Sequence, residues 1–194
     1  DPRDFNDRLL LGLKGTMSEW ELGVMRQHSL EALRLEAARG ELYTTVPIGF
    51  LRTRDNRLEL DPDQRIQQAI HLVFERVTAL GSLRQALLWF RSEHVELPAV
   101  EYGPFGRAVV WKLPVYNTLH KIVTNPIYAG AYVFGRTVTR TTVTGGRARK
   151  VAGVRRPEAE WPVFLRDHHA GYITWTAYET TQAQLRENAQ MQGR

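Results

Sequence analysis

The first forty residues, which have the spacing of one long helix, constrain this chain most. Gly40 is a helix-stop signal, whereas Ser18 with Glu21 has the pattern of a capping box that would begin a separate helix. We predict one helix of about 50 Å, because the apolar spacing keeps its phase through Ser18. That length is too great for burial against a small domain, so the helix should project or pair with a second copy. Its apolar residues recur every three and four positions and form a predicted dimer seam: Leu10, Leu13, Met17, Trp20 and Val24.

The next stretch, residues 41–135, predicts short β elements and amphipathic helices. Asp61 is the predicted N-cap of the first helix, with Pro62 at its first position. Residues 98–106 are rich in turn residues and are predicted to connect a helix to a strand. The predicted elements are a hairpin (46–51 with 57–60), helices over 62–81, 82–94 and 114–123, and strands over 108–111 and 130–134.

Residues 136–157 lack apolar periodicity and predict a flexible loop or a long hairpin. A short apolar stretch follows at 161–165, and Thr174 caps a last predicted helix that ends near Gln190. The expected fold class is therefore mainly α with small β elements (α+β). In this fold a long N-terminal helix precedes a domain resembling a winged helix-turn-helix, although the connection between its two helices is unusually long.

Charge is strongly segregated along the chain. The formal net charge is +5, but residues 102–157 contain ten Lys and Arg and no Asp or Glu. The rest of the chain is net acidic. A block of one sign on this scale indicates an anionic partner and says little about the fold.

The residue inventory gives little support to small-molecule catalysis. There is no cysteine, which excludes disulfides, Cys-bound zinc and a Cys nucleophile. The four serines cap predicted helices or lie within them, and no phosphate-binding glycine motif occurs. Asp167-His168-His169 is the one candidate metal cluster. Because adjacent side chains on a strand point to opposite faces, we interpret these histidines as surface or capping residues. We predict no catalytic residue and no metal site.

Double-stranded DNA is the partner that the basic stretch favours. In the predicted helix 114–123, polar side chains of the first two turns suit a major groove: Tyr116, Asn117, His120 and Lys121. Asn117 can pair with adenine through two hydrogen bonds, and His120 and Lys121 can donate to guanine or phosphate. Arg107 and Lys112 flank this helix. The competing interpretation is a solvated helix face, and the acid-free surroundings favour DNA.

Further basic residues are candidates for backbone or minor-groove contacts. A run in and around the predicted loop would form a DNA-binding arm: Arg136, Arg140, Arg147, Arg149 and Lys150, followed by Arg155 and Arg156. Arg34 and Arg39, at the end of the long helix, have two open interpretations, a structural role or a minor-groove contact.

Several motifs, in order, resemble serine site-specific recombinases, in particular large serine recombinases and phage-type integrases. Residues 6–22 are similar to the end of the catalytic domain and its dimerisation helix. Pro47-Ile48-Gly49-Phe50, Asp61-Pro62-Asp63 and above all Asn125-Pro126-Ile127-Tyr128-Ala129-Gly130 are similar to the DNA-binding recombinase domain. Residues 168–178 look like the segment that precedes the family's zinc ribbon.

The resemblance implies four segments: the dimerisation and linker helix (1–40), the recombinase DNA-binding domain (41–135), a basic flexible loop (136–157) and a C-terminal segment (158–194). It also implies DNA strand exchange through a phosphoserine intermediate. The family's nucleophilic serine and arginine cluster lie upstream and its zinc-binding cysteines downstream, and nothing here matches either. No catalytic residue is therefore carried over, and no cofactor is expected here, although a structural zinc belongs to the family's downstream domain.

The resemblance and the absence of an initial Met lead us to expect part of a longer protein that binds half of an attachment site. The full-length protein is expected to form dimers or tetramers in the cytoplasm on the nucleoid, whereas this part alone can be monomeric. No apolar run approaches the roughly 20 residues of a membrane span. One alternative is a dimeric winged helix-turn-helix transcription regulator, and another is an RNA- or protein-binding adaptor.

Overall fold

The structure, a computed structural model, describes residues 5–43, 45–104 and 106–191. The side chains of residues 5–15, 102, 144, 190 and 191 are not described. The chain divides between Leu42 and Tyr43 into two units. The first contains one helix, and the second contains four helices and four antiparallel strand pairs in its described part. This composition confirms the predicted α+β class.

Helix α1 (Phe5–Ala38) is continuous, as the seam predicted, and no separate helix begins at Ser18. Its C-terminus is closed at Gly40, which has a φ of 77°. The Gly40 N–H donates to the Ala37 carbonyl and the Glu41 N–H donates to the Glu36 carbonyl, which is the Schellman closure of a helix. Of the predicted seam, Met17 and Trp20 are exposed and Val24 is half-buried. The side chains of Leu10 and Leu13 lie outside the described residues.

Helices α2 (Gln64–Leu80) and α3 (Leu83–Ser92) pack on each other and supply much of the core of the second unit. The predicted apolar face of α2 is buried: Ile66, Ile70, Val73, Phe74 and Val77. The predicted N-cap is wrong. Asp63 caps α2 by accepting a hydrogen bond from the Arg65 N–H at 2.9 Å. The Asp61 N–H donates to the Gly49 carbonyl at 2.8 Å, so its backbone belongs to the preceding hairpin.

Strands β1 (Phe50–Arg52) and β2 (Leu58–Leu60) form that hairpin. Strands β3 (Leu97–Gly103) and β4 (Gly106–Lys112) form a second one, inserted between the two helices of the predicted helix-turn-helix. The prediction of a turn-rich connection over 98–106 is therefore wrong for residues 98–103, which belong to β3. Pro98 lies opposite Trp111 in a two-stranded hairpin, where both strands are edges and a missing N–H is tolerated.

Helix α4 (Tyr116–Val123) packs against α2 and α3, and a short 3-10 turn over Pro126–Ala129 follows it. Strand β5 (Tyr132–Phe134) pairs with β8 (Val163–Leu165). Between them, β6 (Thr137–Thr144) and β7 (Arg147–Arg155) form a long hairpin, so of the two predicted alternatives the structure has the hairpin. The last helix, α5 (Trp175–Met191), is capped by Thr174, whose side chain accepts from the Ala177 N–H.

Two segments that carry the resemblance, 125–130 and 168–172, pack against each other. The Tyr172 N–H donates to the Tyr128 carbonyl at 2.7 Å, and the His168 N–H donates to the Gly130 carbonyl at 2.9 Å. The buried Tyr128 hydroxyl donates to the Ile48 carbonyl at 2.9 Å. A Cβ on Gly171 would lie 2.6 Å from the Gly130 nitrogen, so the two backbones touch. These segments therefore join two distant parts of the chain, and the turn over Pro126–Ala129 in the first of them also packs against α4.

Candidate nucleic-acid interface

Helix α4 has one face in the core and one in solvent. Leu119, Ile122 and Val123 are buried. Of the four predicted contact residues, three are exposed and His120 is half-buried. Because residues four apart share a side of a helix, these residues form two pairs along α4: Tyr116 with His120, and Asn117 with Lys121.

The start of α4 differs from the prediction by two residues. Val115 lies at the N-cap and Pro114 is buried before it, so Pro114 is not the first helical residue. Tyr116 and Asn117 therefore occupy the first turn, and His120 and Lys121 the second. The predicted order of these side chains along the helix is retained.

The two pairs border different concave surfaces. Asn117 and Lys121 line a cavity of about 610 Å³ that residues 45–48 and 98–100 also line. Tyr116 and His120 line a second cavity of about 770 Å³ towards α3 and α5. Their rings are stacked, with centroids 6.1 Å apart and planes inclined by 29°. Burial, together with the charge of Arg155, lowers the pKa of His120, which favours the neutral ring.

The flanking residues Arg107 and Lys112 lie on β4, in the inserted hairpin. The Lys112 Nζ lies 2.9 Å from the Glu101 carboxylate in an exposed ion pair. Arg107 makes a long contact of 3.5 Å with the Phe50 carbonyl. Both side chains are exposed, and Glu101 partly compensates the charge of Lys112.

Arg136 is used within the fold and does not project from it. Its guanidinium donates to the Asn125 side-chain oxygen at 2.9 Å and to the Thr124 carbonyl at 3.1 Å. It also lies over the Trp161 ring, 5.8 Å from the centroid. Burial lowers its pKa. Because Thr124 is the C-cap of α4, Arg136 closes the end of that helix.

The hairpin β6–β7 places its basic residues by register. Arg140 pairs with Val151, Thr142 with Arg149 and Thr144 with Arg147. These positions are two residues apart, so Arg140, Arg147 and Arg149 share one face, which we call the arginine face. Lys150 pairs with Thr141 and lies on the opposite face. All four basic side chains are exposed.

The two basic residues at the end of α1 belong to the first unit. Arg39 forms an exposed ion pair with Glu41, with 2.8 Å between nitrogen and oxygen. Arg34 is exposed. The ion pair accounts for the side-chain position of Arg39.

His168 and His169 differ from their predicted arrangement. Their rings do not point to opposite faces, because they follow Asp167, which has a φ of 53°, in a turn. Their Nδ1 atoms are 3.2 Å apart, and the His169 Nε2 lies 2.8 Å from the Ile127 carbonyl. Burial lowers the pKa of both residues. The pair joins the interlocked segments of the core.

The sequence did not predict that Arg155 lies beside α4. This residue follows the arm residues in the basic run, but it lies at the base of the β6–β7 hairpin opposite Thr137. It lines the cavities on both sides of α4. Its charge also contributes to the lowered pKa values of His120 and Arg136.

Comparison with protein families matches residues 65–188 to the Recombinase family. The chain belongs to this family, which confirms the resemblance to serine recombinases. An uncharacterized protein of Sinorhizobium fredii, y4bA/y4pH, is 38% identical over 190 residues, which is 97% of this chain. The chain spans 27% of the length of that relative.

A solved structure described as "Crystal Structure of a LSR-DNA Complex" is similar over 80% of this chain and 38% of that chain. Its sequence identity is 11% and its TM-score is 0.49. Within the described part of the chain, no helix is both long and apolar enough to cross a membrane.

Proposed function

We propose that this chain is the DNA-binding region of a serine site-specific recombinase and that it recognises half of an attachment site. The observation that carries the proposal is the solvent-exposed face of α4, where Asn117 and Lys121 lie within a stretch of 56 residues that has no carboxylate. Membership of the Recombinase family favours this function over a winged helix-turn-helix transcription regulator.

In this proposal α4 lies in the major groove of the duplex. The groove is wide enough for one helix, and the base edges there distinguish all four base pairs. Asn117 accepts from and donates to the edge of an adenine, whereas Lys121 donates to a guanine or a phosphate. The buried Leu119, Ile122 and Val123 hold the helix to the core while its other face contacts the bases.

The β6–β7 hairpin supplies backbone contacts. Its arginine face carries three charges that no carboxylate pairs with among the described residues. Arginine side chains suit both phosphates and a narrow minor groove. These contacts add affinity that depends on salt and orient α4, whereas α4 itself selects the sequence.

The activity of the whole protein is part of the same proposal. A serine in an upstream domain would cleave DNA through a phosphoserine bond, and α1 would contribute to pairing of subunits. The exposed Met17 and Trp20, at 57% and 68% exposure, leave apolar surface on α1 available for such pairing. The zinc expected for the family would belong to a downstream domain.

Substitution of Asn117 and Lys121 tests whether α4 makes the base contacts that select the DNA sequence. We expect Asn117→Ala and Lys121→Ala to reduce discrimination between a selected and an unrelated duplex by about 1–3 kcal/mol for each bidentate base pairing that the substitution removes. Gln68→Ala, which removes an exposed amide from α2, is the control and should leave discrimination unchanged. Competition binding with both duplexes measures the ratio of the affinities for the selected and the unrelated duplex. If both α4 variants discriminate between the two duplexes as well as the parent does, α4 does not select the DNA sequence.

A further inference from the structure

A groove between α3, α4 and α5 is lined by basic residues from four separate parts of the chain. It is the cavity of about 770 Å³ that Tyr116 borders, and its arginine and histidine residues are Arg84, His120, Arg155 and Arg186. No carboxylate lines it among the described residues. We call this surface the α5 trough. Two of its arginines, Arg84 and Arg186, lie outside the basic stretch 102–157.

The position of Arg186 follows from how α5 is attached. The Tyr178 hydroxyl donates to the Thr124 carbonyl at 3.2 Å, and the Gln182 amide donates to the Val123 carbonyl at 2.9 Å. One turn beyond Gln182, Arg186 continues the same side of the helix. Asn188 then donates to the Gly81 carbonyl at 2.7 Å. Anchors on both sides therefore hold Arg186 beside the end of α4.

The positive charge of the trough is not neutralised within the fold. No carboxylate lies within ion-pair distance of Arg84, Arg155 or Arg186 in the part of the chain that the structure describes. An adjoining cavity of about 370 Å³ shares Arg155 and Arg186, and Glu158 is the one carboxylate among its described lining residues. Like charges held together without a counterion favour an external anion.

We propose that the α5 trough binds a phosphodiester group of the DNA backbone beside the bases that α4 contacts. This inference rests on the proposed function, because Tyr116 lines the trough and is also exposed on α4 among the predicted DNA-contacting residues. A duplex lying along α4 would bring one strand over the trough. The planar guanidinium groups of Arg84 and Arg186 match the oxygens of a phosphodiester. Helix α5 thereby becomes a second DNA-contacting element.

Salt-dependent binding of a selected duplex tests the trough. We expect Arg186→Ala and Arg84→Ala each to reduce the slope of log affinity against log salt by about 0.9, the value for one phosphate contact. Sequence discrimination should stay at the parental level, because a phosphate contact carries no base information. Arg186→Lys should largely restore the slope. Arg91→Ala is the matched control, since Arg91 is exposed on α3 and does not line the trough.

The outcomes separate this inference from the proposed function. The proposal that the α5 trough binds a phosphate would be overturned if Arg186→Ala and Arg84→Ala both kept the parental salt slope. This holds even if Asn117→Ala still reduced sequence discrimination. An equal decrease in the slope of Arg91→Ala would also overturn it, because the effect would then be one of net charge. A parent that binds no duplex would overturn both. Thermal unfolding of each variant verifies folding, and these exposed arginines should alter it little.

Discussion

The arginine face of the β6–β7 hairpin yields a prediction whose size follows from the register. Residues two apart on a strand lie about 7 Å from each other on the same face. Arg147 and Arg149 are so related, and Arg140 extends the row because it pairs with Val151. Lys150 is the immediate neighbour of Arg149 but lies on the other face. Arg149→Ala and Lys150→Ala therefore remove the same charge at adjacent positions and differ in the direction of the side chain.

We expect Arg149→Ala to weaken duplex binding and to lower the salt slope by about 0.9, whereas Lys150→Ala should have a smaller effect on both. Replacing all three arginines of the face should lower the slope by about 2.7. Between 50 and 200 mM salt, that difference makes the parental affinity fall about 40-fold more than the affinity of the triple variant. Fluorescence anisotropy with a labelled duplex over a salt series measures the slope.

Equal effects of Arg149→Ala and Lys150→Ala on affinity and on the salt slope would refute the reasoning, because the arginine face would then have no role in binding. A triple variant with the parental slope would show that the hairpin does not contact phosphates. Both residues are exposed, so the substitutions should not alter the fold, and the unfolding temperature of each variant verifies this.

Two predictions concern the interlocked core. Gly171→Ala should destabilise the protein by about 1–3 kcal/mol in urea unfolding, because the added Cβ would meet backbone atoms at 2.6–2.9 Å. Gly103→Ala adds the same atom in open space and should be near neutral; similar destabilisation by both would contradict the close packing. Burial lowers the pKa of His169, so the unfolded chain binds protons more readily, and stability should be full above about pH 6.5 and decline as pH falls below it. His169→Gln should flatten this decline, and an unchanged profile would contradict the assignment.

Amphipathic spacing predicted α2, α3 and α4 because each of these helices buries one face. The face of α2 from Ile66 to Val77 is buried as expected, and α1 is continuous. The strand β3 was not predicted, because Pro98 and the nearby glycines resemble a turn when their pairing with β4 is unknown. The prediction of an N-cap at Asp61 was wrong for a similar reason. The Asp61 N–H donates to the Gly49 carbonyl, a contact with the preceding hairpin that local spacing does not reveal.

The exposed side of α4 was predictable, because it depends on local helical spacing within an acid-free stretch. The roles of Arg136 and of the histidine pair depend on tertiary contacts that local spacing does not contain. Arg136 reaches Thr124, and His169 reaches Ile127, a residue 42 positions earlier. Arg186 was overlooked because it lies outside the basic stretch in sequence and reaches α4 only through the packing of α5.

The central claim, that α4 reads DNA in the major groove, is tested most directly by a footprint on a duplex selected from a random pool. The chain should enrich one sequence, and it should protect guanine N7 atoms and adjoining backbone within a short major-groove segment. Asn117→Ala should lose the preference for adenine at one position within that segment while the backbone protection persists. Failure to enrich any sequence, or an Asn117→Ala variant with the parental footprint and the parental preference, would contradict the claim.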